Sequence, residues 1–403
     1  MITAEKARKM VIAGVKNLSA ERIPLRAAIG RVLAQDIFAV WNSPRFDNSA
    51  MDGYAVKSAN LAGASPKHGI TLKAAKTIRA GTAKKVKIGS GKAALIMTGG
   101  RIPEGADAVV MKEMTRKGRN GEVLFFHSPE PGEYIRRRGG DMRRGDKFLS
   151  RGSVVTPYTV SALASQGMNK IMTIRRPAAA VLSTGDEIFA PGVKLPPGGL
   201  WDSNGPAVSS ALRLAGADVR ICRILPDNPG KLKKAFAGAF QNADMVLISG
   251  GVSVGDFDYT KKLLKELGVK TVFWRVAIKP GKPLFFGLWK GKPVFGLPGN
   301  PLSSLVCVEE FVKPAIREMS GLKPARQEFL KGRAENEYIK EKGRQQYLFC
   351  RAIETKNGFS LKIIKSQGSS MLKTAVGANA IAVAPAGLKR IHPGMKLDFK
   401  RIV

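Results

Sequence analysis

The sequence predicts a multidomain α/β protein: a central parallel-sheet α/β domain, a mostly β insert, an elongated linking region and a small C-terminal β-barrel. Three observations carry this. From residue 176 to about 322, short apolar runs alternate with segments of helical periodicity, the pattern of a parallel sheet covered on both faces. From 59 to about 150 the pattern becomes short alternating strands broken by glycines. Beyond 326, strand-like runs return at turn-separated spacing. The expected boundaries are 1–45 with 146–175 for the linking region, 46–145 for the insert, 176–325 for the α/β domain and 326–403 for the barrel.

Along the chain, Ala7, Met10, Val11 and Val15 place a helix over 3–17, and 24–36 reads as a second short helix with an extended exit. Next, Pro44-Arg-Phe-Asp-Asn-Ser-Ala-Met-Asp-Gly53 gathers Asp47, Asn48, Ser49 and Asp52 ahead of a glycine. Such a run makes a cap or Asx-turn, or equally a ligand-facing loop. Within the insert, 93–97, 108–111 and 122–126 read as strands. Gly89-Ser-Gly-Lys92 resembles the end of a phosphate-binding loop, but Val86 and Ala93 occupy the positions of its required glycine and hydroxyl residue, so it is rejected. Two other loops are better candidates. Met97-Thr-Gly-Gly-Arg101 offers the Thr98 hydroxyl, a glycine pair and a cation. Tyr134-Ile-Arg-Arg-Arg-Gly-Gly-Asp141 sets Arg136 and two more guanidinium forks beside Asp141, a set suited to phosphate or carboxylate, or alternatively a solvated basic face.

The α/β region places strands at 178–183, 218–222, 245–248, 272–278 and 294–296, and helices at 206–214, 230–240, 259–267 and 301–319. Every loop that follows a strand is polar or glycine-rich, and in an open α/β sheet ligands bind outside the carboxyl ends of the strands. In Ser249-Gly-Gly-Val-Ser-Val-Gly-Asp-Phe-Asp258, the Gly250 and Gly251 amides and Ser253 offer a phosphate cradle before a helix, or alternatively an ordinary βα turn. Glu187, Asp227 and Asp258 supply separated hard oxygens that suit Mg²⁺. Lys279 and Lys282 lie in a proline-stiffened loop. Pro298, Asn300 and Pro301 lead into a helix with Ser303 in its first turn, a pocket for a tetrahedral oxyanion.

The tail pairs 345–353 with 359–364 across Lys356-Asn-Gly358, a hairpin signal, and adds 380–383 and 395–399 to make an antiparallel barrel. Composition narrows the chemistry. Three histidines without partners at ligand spacing argue against Ser-His-Asp, Cys-His and histidine–zinc catalysis, and three scattered cysteines form no disulfide framework, consistent with a reducing cytoplasm. No apolar run approaches a membrane span. A net charge of +36 attracts anions, yet aromatic residues are only 7%, too few for the stacking pattern of a single-strand nucleic-acid binder.

Asp47-Asn-Ser-Ala-Met-Asp-Gly-Tyr-Ala55, Ser249-Gly-Gly-Val-Ser-Val-Gly-Asp-Phe-Asp-Tyr259, Ala277-Ile-Lys-Pro-Gly-Lys-Pro283 and Gly296-Leu-Pro-Gly-Asn-Pro301 occur in the order of a known family. They resemble the signature motifs of the molybdopterin molybdenumtransferases, the MoeA-type family related to the C-terminal part of gephyrin, over roughly residues 3–400. The resemblance implies a molybdopterin-binding α/β domain. It implies that adenylyl-molybdopterin and molybdate, the co-substrate, give molybdenum cofactor and AMP with help from Mg²⁺. It also implies a cytoplasmic homodimer with its site between one subunit's α/β domain and the other's insert, in contact with the molybdopterin adenylyltransferase. By similarity, Asp52, Thr98, Arg136 and Asp141 are active-site positions on the insert side, and Glu187, Asp227 and Asp258 on the α/β side. Arg275 stands where relatives often carry lysine, and Gly140 where many carry glutamate. Two alternatives remain: a molybdopterin adenylyltransferase, opposed by the insert motifs, and a non-catalytic polyanion-binding scaffold, opposed by the intact acidic triplet.

Overall fold

The computed structural model describes the chain except residues 83, 251–256, 323–328, 341 and 403. It divides into two compact units: Met1–Gln35, Gly152–Val160 and Lys170–Val403 form one, and Asp36–Arg151 with Ser161–Asn169 the other.

The first unit is built on a six-stranded sheet. In chain order its elements are β1 (Ala178–Thr184), α1 (Asn204–Leu214), β2 (Asp218–Leu225), α2 (Pro229–Asn242), β3 (Met245–Ser249), α3 (Phe257–Glu266), β4 (Lys270–Trp274), β5 (Phe285–Trp289), β6 (Lys292–Leu297) and α4 (Pro301–Cys307). The strand order is β2-β1-β3-β6-β5-β4. The first four strands are mutually parallel, as expected from the sequence. Sequence reading did not place β5, which runs antiparallel to both β6 and β4. Its hairpin to β6 pairs Trp289 with Lys292 across Lys290 and Gly291, at φ of 48° and 80°. Both central residues of such a two-residue turn need positive φ, and a lysine in the first place hides the signal. Two antiparallel steps return β4 to the direction of β6, so its end at Trp274 lies on the same edge as the ends of β1, β3 and β6.

Side chains alternate between the faces of this sheet. Ala179, Val181, Met245, Leu247, Phe295 and Leu297 pack against Ala7 and Val11 of the N-terminal helix, Val208 and Leu212 of α1, and Phe311. Ala180, Leu182, Val246, Ile248 and Val294 pack against Leu232, Phe236 and Phe240 of α2 and Leu264 of α3. Both faces are therefore covered, which is what near-continuous apolar strands require.

The N-terminal helix runs Ala4–Gly14, with the Lys6 amide donating to the Thr3 hydroxyl as an N-cap. The helix expected over 24–36 is absent. Only a single 3₁₀ turn forms at Leu25–Ala27, after the strand Ala20–Pro24 pairs with Lys170–Ile174. The amides of Leu33 and Ala34 donate instead to the carbonyls of Ser153 and Met172, so long-range pairing takes the donors a helix would use. The helix expected over 301–319 is split by a π turn at Val308–Val312. Pro314 has no amide to donate, and the preceding turn widens.

The tail closes a barrel. Gln345–Thr355 pairs with Gly358–Ile363, which pairs with Leu330–Ala334, then Lys396–Arg401, then Ala380–Ala384, which returns to Gln345–Thr355. The hairpin at Thr355↔Gly358 forms where expected. One pairing departs from the antiparallel expectation: Leu330–Ala334 is parallel to Gly358–Ile363. An odd number of strands cannot close a ring with every pair antiparallel. Leu348, Leu361, Ala382 and Phe399 fill the interior.

The second unit holds its own six-stranded sheet, ordered Ala108–Met111, Gly53–Val56, Lys92–Ile96, Ile70–Ile78, Glu122–Phe125 and Thr115–Lys117. Tyr54, Leu72, Ala93, Val110 and Phe125 form its core. Among the described residues of both units, no helix is long and apolar enough to cross a membrane.

Candidate functional site

At the sheet edge of the first unit the chain leaves β1 for β2, then crosses back to β3 on the other side. Such a reversal opens a crevice between the β1 and β3 ends. Ser183, buried at the end of β1, donates to Asp202 Oδ2 at 2.9 Å, while Asp202 Oδ1 accepts the Gly205 amide at 2.9 Å. Asp202 thereby fixes the start of α1 on β1. Asn204 donates to Ser249 Oγ and to the Gly299 carbonyl, both at 2.7 Å, tying α1 to the ends of β3 and β6. Gly250 has φ of 93°, and a Cβ there would lie 2.4 Å from the Thr184 carbonyl, so β1 and β3 approach too closely for any side chain. Thr184 Oγ1 and Asn204 Oδ1 are buried without a hydrogen-bond partner among the described residues. An unpartnered hydroxyl, able to donate, and an unpartnered amide oxygen beside one crevice fit a site that a ligand completes. Sequence reading missed Asp202 and Asn204, although Asp202-Ser-Asn-Gly205 ahead of a helix carries a capping signature.

The acidic positions line the same edge. Glu187 and Asp227 are exposed. Asp186, also missed, accepts the Asp227 amide at 3.0 Å and so joins the loops after β1 and β2. A Cβ on Gly185 would sit 2.7 and 2.8 Å from the two carboxylate oxygens of Glu187, so the glycine makes room for that carboxylate to fold back over the strand end. Asp258 is the second residue of α3. Gly251 and Ser253 lie outside the described residues. Among the described residues, no three His, Cys, Asp or Glu side chains gather closely enough to hold a metal by themselves.

Along the same edge lies a cleft of about 530 Å³. The sheet side contributes Lys279, Lys282, Asn300 and Ser303, and the barrel side Tyr338, Arg344, Gln346, Gln367 and Ser369. Ile278–Lys279 pairs in parallel with Gln345 and Gln346, which hangs the lysine loop on a barrel strand. Asn300 donates to Ser369 Oγ at 3.0 Å, and the Leu302 amide donates to the Ser369 carbonyl. The buried Ser304 hydroxyl donates to the Pro298 carbonyl, and Pro301 opens α4. Gly281 takes φ of 108° with Cys307 Sγ behind it. Lys340 is buried nearby; burial first and the charge of Lys279 second lower its pKa. Arg275 has φ of 68° and lays its guanidinium over the Trp274 ring at 4.0 Å. Sequence reading found the sheet-side residues but missed Tyr338, Arg344 and Gln346, which carry no local motif.

In the second unit, the Thr98 amide and hydroxyl both donate to Asp52 Oδ1, at 2.6 and 2.7 Å. These bonds, and more weakly the charge of Lys112, hold the Asp52 carboxyl below its usual range. The Asn48–Ser49 strand pairs with Ile135–Arg136 and exchanges backbone bonds with Gly99 and Gly100. Arg136 is thus placed two short steps from the Thr98 loop. Asp47 accepts from the Arg137 side chain at 3.0 Å and the Arg138 amide at 2.7 Å, and the Asp141 amide donates to the Ser43 carbonyl. One connected set of turns therefore carries Asp52, Thr98, Arg136 and Asp141.

Three family models match in order: the MoeA N-terminal region (domain I and II) over residues 2–167, a probable molybdopterin binding domain over 180–318, and the MoeA C-terminal region (domain IV) over 331–401. A molybdopterin molybdenumtransferase of Haemophilus influenzae is 40% identical over 324 residues, covering 80% of this chain and 79% of that one. This chain belongs to the MoeA family. A family member from a Nostoc species is 35% identical, covering 93% of this chain and 87% of its own. A solved MoeA structure from Pyrococcus horikoshii matches with a TM-score of 0.84 at 31% identity, covering 100% of this chain and 99% of that one.

Proposed function

We propose that this MoeA-family chain is a molybdopterin molybdenumtransferase that passes molybdate to the dithiolene of adenylyl-molybdopterin and releases AMP. The observation that carries the reading is the Lys279–Ser303 cleft, lined by two lysines, on the same sheet edge as the strand-end crevice at Gly250. The crevice lies where β3 leads toward the start of α3, and a helix N-terminus suits a phosphoanhydride. The cleft offers two lysines and neutral donors, as a tetrahedral dianion needs.

In this reading Lys279, Lys282 and Ser303 hold molybdate, while Gly250, Gly251 and Ser253 hold the phosphates. Pro298, Asn300 and Pro301 shape the cleft wall, and Arg275 contributes charge at the end of β4. Glu187 and Asp227 follow neighbouring strands, Asp258 stands in the first turn of α3, and all three are hard-oxygen donors. They would hold Mg²⁺, which offsets charge on the phosphoanhydride when bound. Asp52, kept ionised by Thr98, together with Arg136 and Asp141, would meet the substrate from the insert side of a second subunit in a cytoplasmic homodimer. The high net charge draws both anionic substrates inward.

The test is AMP release from adenylyl-molybdopterin with Mg²⁺, with and without molybdate. Release that depends on molybdate and is abolished by Asp227→Ala and Asp258→Ala supports the reading. Tight binding without release points to a carrier, and absence of binding overturns the assignment.

A further inference from the structure

A second cleft, of about 390 Å³, lies away from the polar loops, between β2 and α2. Its floor is Leu182 of β1 and Ile221 of β2. Its helical wall is one stripe of α2, in which Ala235, Gly238, Ala239 and Asn242 recur at three- and four-residue spacing. Arg223, Lys231 and Lys234 stand around it. No carboxylate lines it, and none of these three cations has an ion-pair partner among the described residues. Neighbouring Arg220 and Lys233, by contrast, pair with Asp218 and Glu266.

Gly238 supplies an independent observation. It sits in the interior of a fourteen-residue helix, where glycine is the least favourable residue short of proline. Packing does not demand it, because a Cβ there would meet nothing within 4 Å. Its φ is not in the left-handed region either. What the glycine does is leave the wall of the cleft flat, while Asn242 donates to its carbonyl at 2.8 Å. A flat apolar wall opposite an apolar floor, rimmed by three cations without an ion-pair partner among the described residues, has the size and polarity of a small-molecule site.

We propose that this cleft binds a small organic anion, a flat apolar body carrying a phosphate, with the body between Ile221 and Gly238 and the phosphate between Arg223, Lys231 and Lys234. The site is separate from the molybdate cleft and does not depend on the transferase reading. The probe is 1-naphthyl phosphate, titrated into the full chain by fluorescence anisotropy. One saturable site is expected, with 1-naphthol and orthophosphate each binding at least about tenfold more weakly. Gly238→Leu, which fills the flat wall with a better helix former, and Arg223→Glu, which reverses one rim charge, should each weaken binding by about tenfold or more. Saturating molybdate should not displace the probe. Thermal melts confirm that each variant folds, and Gly238→Ala, a smaller change, should give an intermediate loss. Non-saturable binding, binding unchanged in both variants, or displacement by molybdate would each overturn the proposal.

Discussion

Substituting Gly281 by alanine tests whether the lysine loop is held by its backbone. Gly281 adopts φ of 108°, and a Cβ there would lie 2.9 Å from both Cys307 Sγ and Ile278 Cδ1. The backbone conformation costs an alanine about 1–2 kcal/mol. The two contacts overpack a filled site and add about 1–3 kcal/mol. Gly281→Ala should therefore destabilise the chain by about 2–5 kcal/mol and displace Lys279 and Lys282. Cys307→Ala removes one of the two contacts but leaves the φ strain and Ile278. In the double variant the loss should fall short of the sum of the singles by about 1 kcal/mol. Urea unfolding of the four proteins, compared where their m-values agree, gives this coupling. The molybdate KM should rise in Gly281→Ala and partly recover in the double variant. Additivity within about 0.5 kcal/mol, with an unchanged KM, would refute the reasoning.

Three further outcomes are expected. Asp52 has a depressed folded-state pKa, so its contribution is present above the unfolded value and is lost as pH falls through the folded one. Thr98→Ala removes one of its donors, and the acidic limb of the pH–rate profile should move to higher pH, whereas Thr98→Ser should leave it in place. Glu310 is 2% exposed and is paired with Arg8 and Lys400 and hydrogen-bonded by Tyr347 at 3.0 Å. Glu310→Gln leaves two cations underneutralised in the interior and should cost about 3–5 kcal/mol, read as a fall in the thermal midpoint; an unchanged midpoint contradicts this. Gly250→Ala must push β3 away from the Thr184 carbonyl and should lower the transfer rate by on the order of 10²-fold while sparing the molybdate KM. A change confined to the molybdate KM would show that the crevice and cleft roles are reversed.

The sequence by itself determined the elements whose signals are local. Apolar runs alternating with helical spacing gave the parallel strands β1, β2, β3 and β6, and Lys356-Asn-Gly358 gave the barrel hairpin. Most of the candidate residues read this way, Glu187, Asp227, Gly250, Lys282, Pro298 and Asn300 among them, sit in loops that follow strands, where glycine, proline and charge cluster in a few positions, while Asp258 and Ser303 fall in the first turns of the next helices. Tertiary structure decided what depends on pairing between distant segments. The residues 24–36 have a helical pattern, yet the Leu33 and Ala34 amides bond to Ser153 and Met172, partners that exist only after the chain folds back. The antiparallel course of β5 follows from a turn whose Lys290 gives no local warning. Tyr338, Arg344 and Gln346 line the Lys279–Ser303 cleft because Lys279 pairs with Gln346 across 66 intervening residues. Local propensity fixes a segment's own preference, but only closure of the sheet and barrel sets which distant side chains share a cavity.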